Sequence, residues 1–365
     1  MIPAYCTNVH PAEDLAGIIA QLDRYAVPVR EELEADTLAL GLWLSAPVAR
    51  ALASDATARR GFRAELDARG LTVSTLNAFP YGGFHDEVVK HAVYLPTWAD
   101  RKRVAYTADC ATVLADLLPD TADYGSISTL PLAWRDPWTA ADDARARVAF
   151  DKITQVLRTA SDRPIRLAVE PEPGCVLDTV ADAVTWLAGQ VDPDHVGICL
   201  DTCHLAVSFA DPADTVAAIA AAGLSVVKVQ ASAALHIEEP HTAEARAALA
   251  EFAEPRYLHQ VRANTPVGVL AADDLPEAID TLPAAHPWRV HFHVPLHAAP
   301  PAPLASTTDV LLAAVTALRS TGAPLPHVEV ETYTWTVLPG SDQTTLAHGI
   351  AAELRWAETS LGAAV

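Results

Sequence analysis

Four short apolar runs in this 365-residue chain end in side chains that a buried strand avoids. They are LAVEPEPG with Glu170 and Glu172, VGICLDTCH with Asp201 and His204, VHFHVP with His291 and His293, and HVEVETYTW with Glu329 and Glu331. A carboxylate carried unpaired into an apolar interior costs several kcal/mol, or its pKa shifts until it is neutral. Runs that deliver Glu, Asp, His and Glu to one place therefore call for a shared countercharge, and a divalent metal is the simplest. Oxygen and nitrogen donors without thiolate suit Mn, Mg, Co or Zn, and the residue types do not choose among them.

Within these runs, Asp201 closes an apolar stretch and His204 follows three residues later, a step that can aim both at one centre. Glu329 and Glu331 are two apart and share a face of a strand, with Glu331 nearer its end and Glu329 deeper, where a salt-bridged role is expected. Glu172 reads as a loop carboxylate without a direct part, and one of His291 and His293 is expected to reach the site. Cys199 and Cys203 read as small core fillers. LNAFPYGGFHDEVVK leaves a strand through Asn77 into an aromatic, glycine-rich loop carrying His85 and Lys90. That composition suits either a substrate-gripping loop or a structural loop packed by its own rings. Asn8 and His10 hold a similar place after the first strand, and Trp98 and Trp335 are candidate walls for a sugar-like ring.

Strand-like and helix-like segments alternate along the chain. The strands are expected at 38–45, 71–79, 124–132, 165–171, 196–201, 224–232 and 327–333, with AYCTNVH as an eighth. Ala-rich helical segments at 100–118, 141–160, 178–189, 213–222 and 306–320 separate them, several preceded by Asp or Thr as N-caps. Eight such units close most naturally into a (β/α)8 TIM barrel, whose reactive groups collect at the C-terminal strand ends. An open doubly wound sheet is the rival, but no GxGxxG follows an early strand to support dinucleotide binding. An insertion at about 232–305 separates the last two strands. Within it, 256–263 and 288–296 are expected to pair as a short hairpin capping the mouth. With no long polar linker, the chain reads as one domain.

Acidic residues outnumber basic ones by 46 to 25, a net charge of −21 that repels nucleic acid phosphates and anionic membranes. A small-molecule metabolite is the expected partner. The five cysteines form no CxxC pair, the start lacks the pattern of a signal peptide, and the longest apolar stretch is too short to span a bilayer. Those features suggest a cytoplasmic protein.

Taken in order, YCTNVHP, TLNAFPYGGFH, GSISTLPL, LAVEPEPGC, GICLDTCHLAVSF, KVQASAAL, YLHQV, VHFHVP and HVEVETYTWTVLP resemble the xylose-isomerase-like TIM-barrel superfamily of sugar isomerases, ketose 3-epimerases and endonuclease IV nucleases. More closely they resemble the EboE-type metabolite traffic proteins, sugar phosphate isomerase/epimerase-like barrels defined by gene-cluster context. The resemblance implies a divalent ion held at Glu170, Asp201, Gln230 and Glu331, with His204 on the metal or the substrate. Gln230 departs from the histidine usual there, and an amide oxygen is a weaker ligand than imidazole. Either His293 replaces that imidazole from the insertion, or Lys228, on the same face as Gln230, neutralises the carboxylates without a metal.

The implied chemistry is isomerisation or epimerisation of a sugar or cyclitol, phosphorylated or not, in a metabolite biosynthesis or export pathway. Glu170 and Glu331 would exchange the proton through an enediolate, and His204 would assist. Asn77, His85, Lys90, Lys228 and Trp335 are the expected substrate contacts. Alternatives are metal-dependent phosphoester hydrolysis, with His85, His204 and His293 as ligands, and a non-catalytic metabolite-binding barrel. Such barrels often pair near the mouth, so a homodimer is one expectation.

Overall fold

The computed structural model describes residues 3–340 and 346–362. Eight strands form the barrel: β1 (Ala4–Cys6), β2 (Leu38–Trp43), β3 (Leu71–Asn77), β4 (Gly125–Thr129), β5 (Ile165–Val169), β6 (Val196–Asp201), β7 (Val226–Ala231) and, after five strands of an inserted sheet, β13 (His327–Val330). They close in the order β1-β13-β7-β6-β5-β4-β3-β2, and every neighbouring pair is parallel. Stretches such as Val196–Leu200 are apolar throughout because helices cover a parallel strand from outside while other strands face it within. Helices including Arg101–Leu117, Ala140–Leu157, Thr308–Ser320 and Leu346–Gly362 form the outer layer. Several start where expected, on side-chain caps such as Asp100, Thr139, Thr179 and Asp211.

Most strands stop short of their expected ends, and the reason is chemical. The β5 and β13 ladders finish at Val169 and Val330, so Glu170 and Glu331 leave the sheet just where its apolar surroundings end. Their backbone N–H groups still bond Thr129 O (3.0 Å) and Ala231 O (3.1 Å) of the adjacent strands, which holds both residues at the rim.

The segment between β7 and β13 builds more than the expected hairpin. Its strands β8 (Leu235–Ile237), β9 (Val261–Thr265), β10 (Gly268–Ala272), β11 (Trp288–Val290) and β12 (Ala305–Ser306) make an antiparallel sheet in the order β10-β9-β11-β8-β12. The 256–263 and 288–296 runs do meet, through Val261↔Val290 and Ala263↔Trp288, but β9 makes its tight hairpin with β10. Beyond Val290 the chain leaves the ladder, turns at His291 through the bond from Phe292 N to Val290 O (2.8 Å), and runs on without regular structure past the barrel mouth. No described helix is long and apolar enough to cross a membrane.

Candidate active site

Three carboxylates converge where β5, β6 and β13 end. Asp201 is the last residue of β6 and the N-cap of the helix Thr202–Val207. Its Oδ1 accepts from His204 N and Ser232 Oγ, both at 2.9 Å, while the buried Oδ2 has no partner. Glu331 Oε1 accepts from Asn8 Nδ2 (2.8 Å) and Asn77 Nδ2 (2.9 Å). Glu170 Oε2 is buried and unpartnered. One oxygen from each of the three lies within 4.8 Å of the other two. Burial, followed by the charges of the neighbouring carboxylates, pushes Glu170 and Glu331 well above the usual carboxylate range.

Three histidines face this cluster, and each is held in one tautomer. His204 Nδ1 lies 2.8 Å from Pro171 O, His291 Nδ1 2.6 Å from Gln260 Oε1 and His293 Nδ1 2.7 Å from Glu331 O. A carbonyl oxygen only accepts, so each Nδ1 carries the proton and each Nε2 of the neutral ring offers a lone pair. Burial lowers His291 well below its ordinary range and His293 to about 4, which keeps both rings neutral. Nε2 of His204 nevertheless sits 3.1 Å from Nε2 of His291, and Nε2 of His293 is buried without a partner 4.0 Å from Asp201 Oδ2.

Glu172 belongs to the same assembly, contrary to its reading as a bystander. It is buried, lies 3.7 Å from His291 Nδ1, and is oriented by the Tyr94 hydroxyl, which donates to its Oε1 at 2.7 Å. Ligand atoms of Glu172, His204 and His291 lie within 4.8 Å of one another, as do those of Asp201, His204 and His293. Unpartnered carboxylate oxygens beside tautomer-locked imidazole lone pairs are the donor set of a divalent metal site, with the carbonyl partners that orient such ligands already in place. The residues present fit a divalent ion.

The other expected site residues are placed unequally. Asn77 lines the cleft and holds Glu331. Lys90 reaches the cleft, but its ammonium binds Asp274 Oδ2 (2.6 Å) and Tyr257 O (2.7 Å) of the insertion. His85 lies behind the cleft, donating Nε2–H to Asn8 O at 2.6 Å and packing near Trp43 and Phe84, and it takes no place in the cluster.

Lys228 is enclosed inside the barrel, paired with Glu329 and bonded to Ser128 Oγ (3.1 Å), so it cannot touch a ligand in the cleft. Gln230 stands in register with Asp201 but is fully enclosed; its Oε1 accepts from Cys199 Sγ at 2.9 Å and its Nε2 has no partner. Trp335 does not wall the cleft. It packs on Gly349, and its Nε1 donates to Glu353 Oε2 at 2.8 Å. Glu353 also accepts from Thr332 Oγ1 and Leu296 N, tying the segments after Glu331 and His293 together, and burial pushes its carboxyl up to about 7.

Gln260, Tyr94, Tyr257 and Tyr333 are not among the expected site residues, although the YLHQV and HVEVETYTW runs contain three of them, because their roles depend on contacts made across the mouth. The three tyrosines line the cleft together with Glu170, Glu172, Glu331 and the three histidines, and Gln260 Nε2 donates to the Tyr94 hydroxyl at 3.1 Å.

A family model described as Xylose isomerase-like TIM barrel matches residues 31–257. Among solved structures, a Xylose isomerase-like TIM barrel protein from Mycobacterium smegmatis in complex with magnesium aligns over 100% of this chain and 97% of its own, at 14% identity and a TM-score of 0.56. D-psicose 3-epimerase from Clostridium cellulolyticum H10 with D-tagatose aligns over 99% of both chains at 12% identity and a TM-score of 0.54. A 3-keto-D-glucoside 4-epimerase from E. coli aligns over 98% of this chain and 99% of its own, at 14% identity and a TM-score of 0.51. At such identities these likenesses establish the fold alone. No curated protein shows significant sequence similarity to the chain. With the family model spanning well over half of its residues, this chain belongs to the xylose isomerase-like TIM barrel family.

Proposed function

We propose that this protein is a divalent-metal-dependent isomerase or epimerase acting on a polyhydroxylated carbonyl compound, a sugar or a cyclitol. The observation that carries the reading is the convergence of Glu170, Asp201 and Glu331 beside imidazoles whose protons are already donated elsewhere. Glu170, Asp201 and Glu331 would hold one ion, with His293 reaching it from the insertion, and Glu172, His204 and His291 a second. When bound, the metal supplies Lewis acidity toward carbonyl and hydroxyl oxygens.

The chain's own residues supply the rest. Asn8 and Asn77 fix Glu331 through Oε1 and leave its second oxygen for ligand or substrate. Glu170 and Glu331, both held above the ordinary carboxylate range, are suited to take a proton from carbon and return one at neutral pH. The insertion lays His291 and His293 across the mouth, beside the carboxylates that exchange the proton. Solved neighbours that are sugar epimerases of this fold agree with the reading. So does the EboE-type pattern of motifs, by which we assign the protein to metabolite biosynthesis or export.

The test is solvent deuterium entering a panel of ketoses and keto-cyclitols incubated with Mn- or Co-reconstituted protein. Exchange that disappears in Glu170→Gln supports the reading; a metal-loaded protein that exchanges no member of the panel removes it. Phosphoester hydrolysis is the second reading, favoured by the paired nitrogens of His204 and His291, although His85 is not the ligand that it requires. Phosphate release from a small phosphoester would select it.

A further inference from the structure

Two kinds of side chain line the cleft, polar groups without partners and aromatic rings. Uncommitted polar atoms gather among its carboxylates and histidines: Glu170 Oε2, His293 Nε2 and the side-chain oxygen Oδ1 of Asn8 are all buried without partners. The same cleft is lined by a contiguous set of rings, Phe84, Tyr257 and Tyr333, whose centroids lie 4.9 to 5.5 Å apart, and by Phe79, Val93 and Tyr94. The polar groups beside these rings are mostly committed within the protein. The Tyr94 hydroxyl donates to Glu172, the Tyr257 hydroxyl to Phe84 O at 3.1 Å, and Lys90 to Asp274 and Tyr257 O. Hydroxyl groups laid against these side chains would lose water and gain few partners, which is unfavourable, whereas an apolar group would gain contact with the rings.

Charge excludes a second class of ligand. Among the described residues no arginine lines the cleft, and Lys90, the one lysine that does, is paired with Asp274. Two divalent ions would balance Glu170, Glu172, Asp201 and Glu331, and a single ion would leave the site negative. Neither case leaves a positive charge for a phosphate dianion.

From this we infer that the ligand is an uncharged polyhydroxylated ring bearing an aryl or alkyl substituent, with its hydroxyls on the metal-binding groups and the substituent against the aromatic rings. This inference rests on the metal-bound reading of the site.

Calorimetric titration of the Mn-reconstituted protein with D-glucose, D-glucose 6-phosphate and 4-nitrophenyl β-D-glucopyranoside tests it. The aryl glycoside is expected to bind roughly tenfold or more tighter than glucose, and the phosphate ester weaker than glucose. Phe84→Ala and the milder Val93→Asn should erase the aryl advantage while metal content and circular dichroism stay unchanged. Asp274→Asn keeps the oxygen that accepts from Leu275 N and His259 N but frees Lys90, so it should raise affinity for the phosphate ester. Tighter binding of the phosphate ester by the unmodified protein, no aryl preference, or no binding of any of the three overturns the inference. Aryl preference without deuterium exchange on any carbonyl compound would instead leave the inference standing and remove the epimerase reading.

Discussion

The Nε2 atoms of His204 and His291 face each other at 3.1 Å, and both rings have already given their Nδ1 protons to carbonyl oxygens. With Nδ1–H so engaged in both rings, Nε2 meets Nε2, an arrangement that repels unless a proton or a cation lies between them. Glu172, oriented by Tyr94 and Gln260, adds a carboxylate within reach of the same point. The second ion position that we propose therefore depends on hydrogen bonding outside the cluster as much as on the ligands themselves.

Removing one of these rings should separate the two positions. In His291→Ala, metal content measured by elemental analysis after reconstitution is expected to fall from two ions per chain to one, with the Glu170, Asp201 and Glu331 position still filled. Two ions retained by this variant would contradict the assignment. Gln260→Leu, which removes only the oxygen holding His291, should weaken the same ion by roughly 10- to 100-fold.

Metal affinity should rise with pH across the neutral range. Glu170, Glu172 and Glu331 are raised, each chiefly by burial, so the metal-free protein keeps protons on them where free carboxylates are ionised. Binding must expel those protons, and affinity gains roughly tenfold per pH unit for each proton released. His291 and His293 are lowered and already neutral, so they contribute nothing to this slope near pH 7. Titrations between pH 6 and 8 check the sign; an affinity independent of pH would mean that the carboxylates are ionised before metal arrives.

The ion pair of Lys228 and Glu329 beneath the site is structural. Burial alone would lower the Lys228 ammonium, but the Glu329 carboxylate holds it above its ordinary value. Gly41 completes the pair, since a Cβ there would lie 1.2 Å from Glu329 Oε1. Lys228→Met, which strands the carboxylate, is expected to cost about 3 to 5 kcal/mol in denaturant unfolding. Lys228→Met combined with Glu329→Leu should recover most of that loss. A single variant as stable as the parent would show that the pair contributes nothing to stability.

Much of the barrel is legible in the chain because its determinants are local. Apolar strands of five or six residues, Asp and Thr caps, and the alternation of strand with helix each act within a few residues of their own position. The same locality explains why Glu170, Asp201, His204 and Glu331 stand out: a charged or ligating residue at the end of an apolar run contradicts its own neighbourhood. Glu329 is also readable as an ion-paired residue from its two-residue spacing to Glu331, and the structure gives it Lys228.

What only the tertiary structure decided are the relationships between loops. Nothing beside His291 in the sequence tells that Gln260 will hold its proton, because that contact depends on the β9–β11 register. Glu172 looks like a loop carboxylate until Tyr94 and His291 close on it from two other connections. Lys90, His85 and Trp335 have the composition of substrate contacts, yet Asp274, Asn8 O and Glu353 engage them first. A side chain's type states which bonds it can make, and only the distances set by the fold determine which partner reaches it.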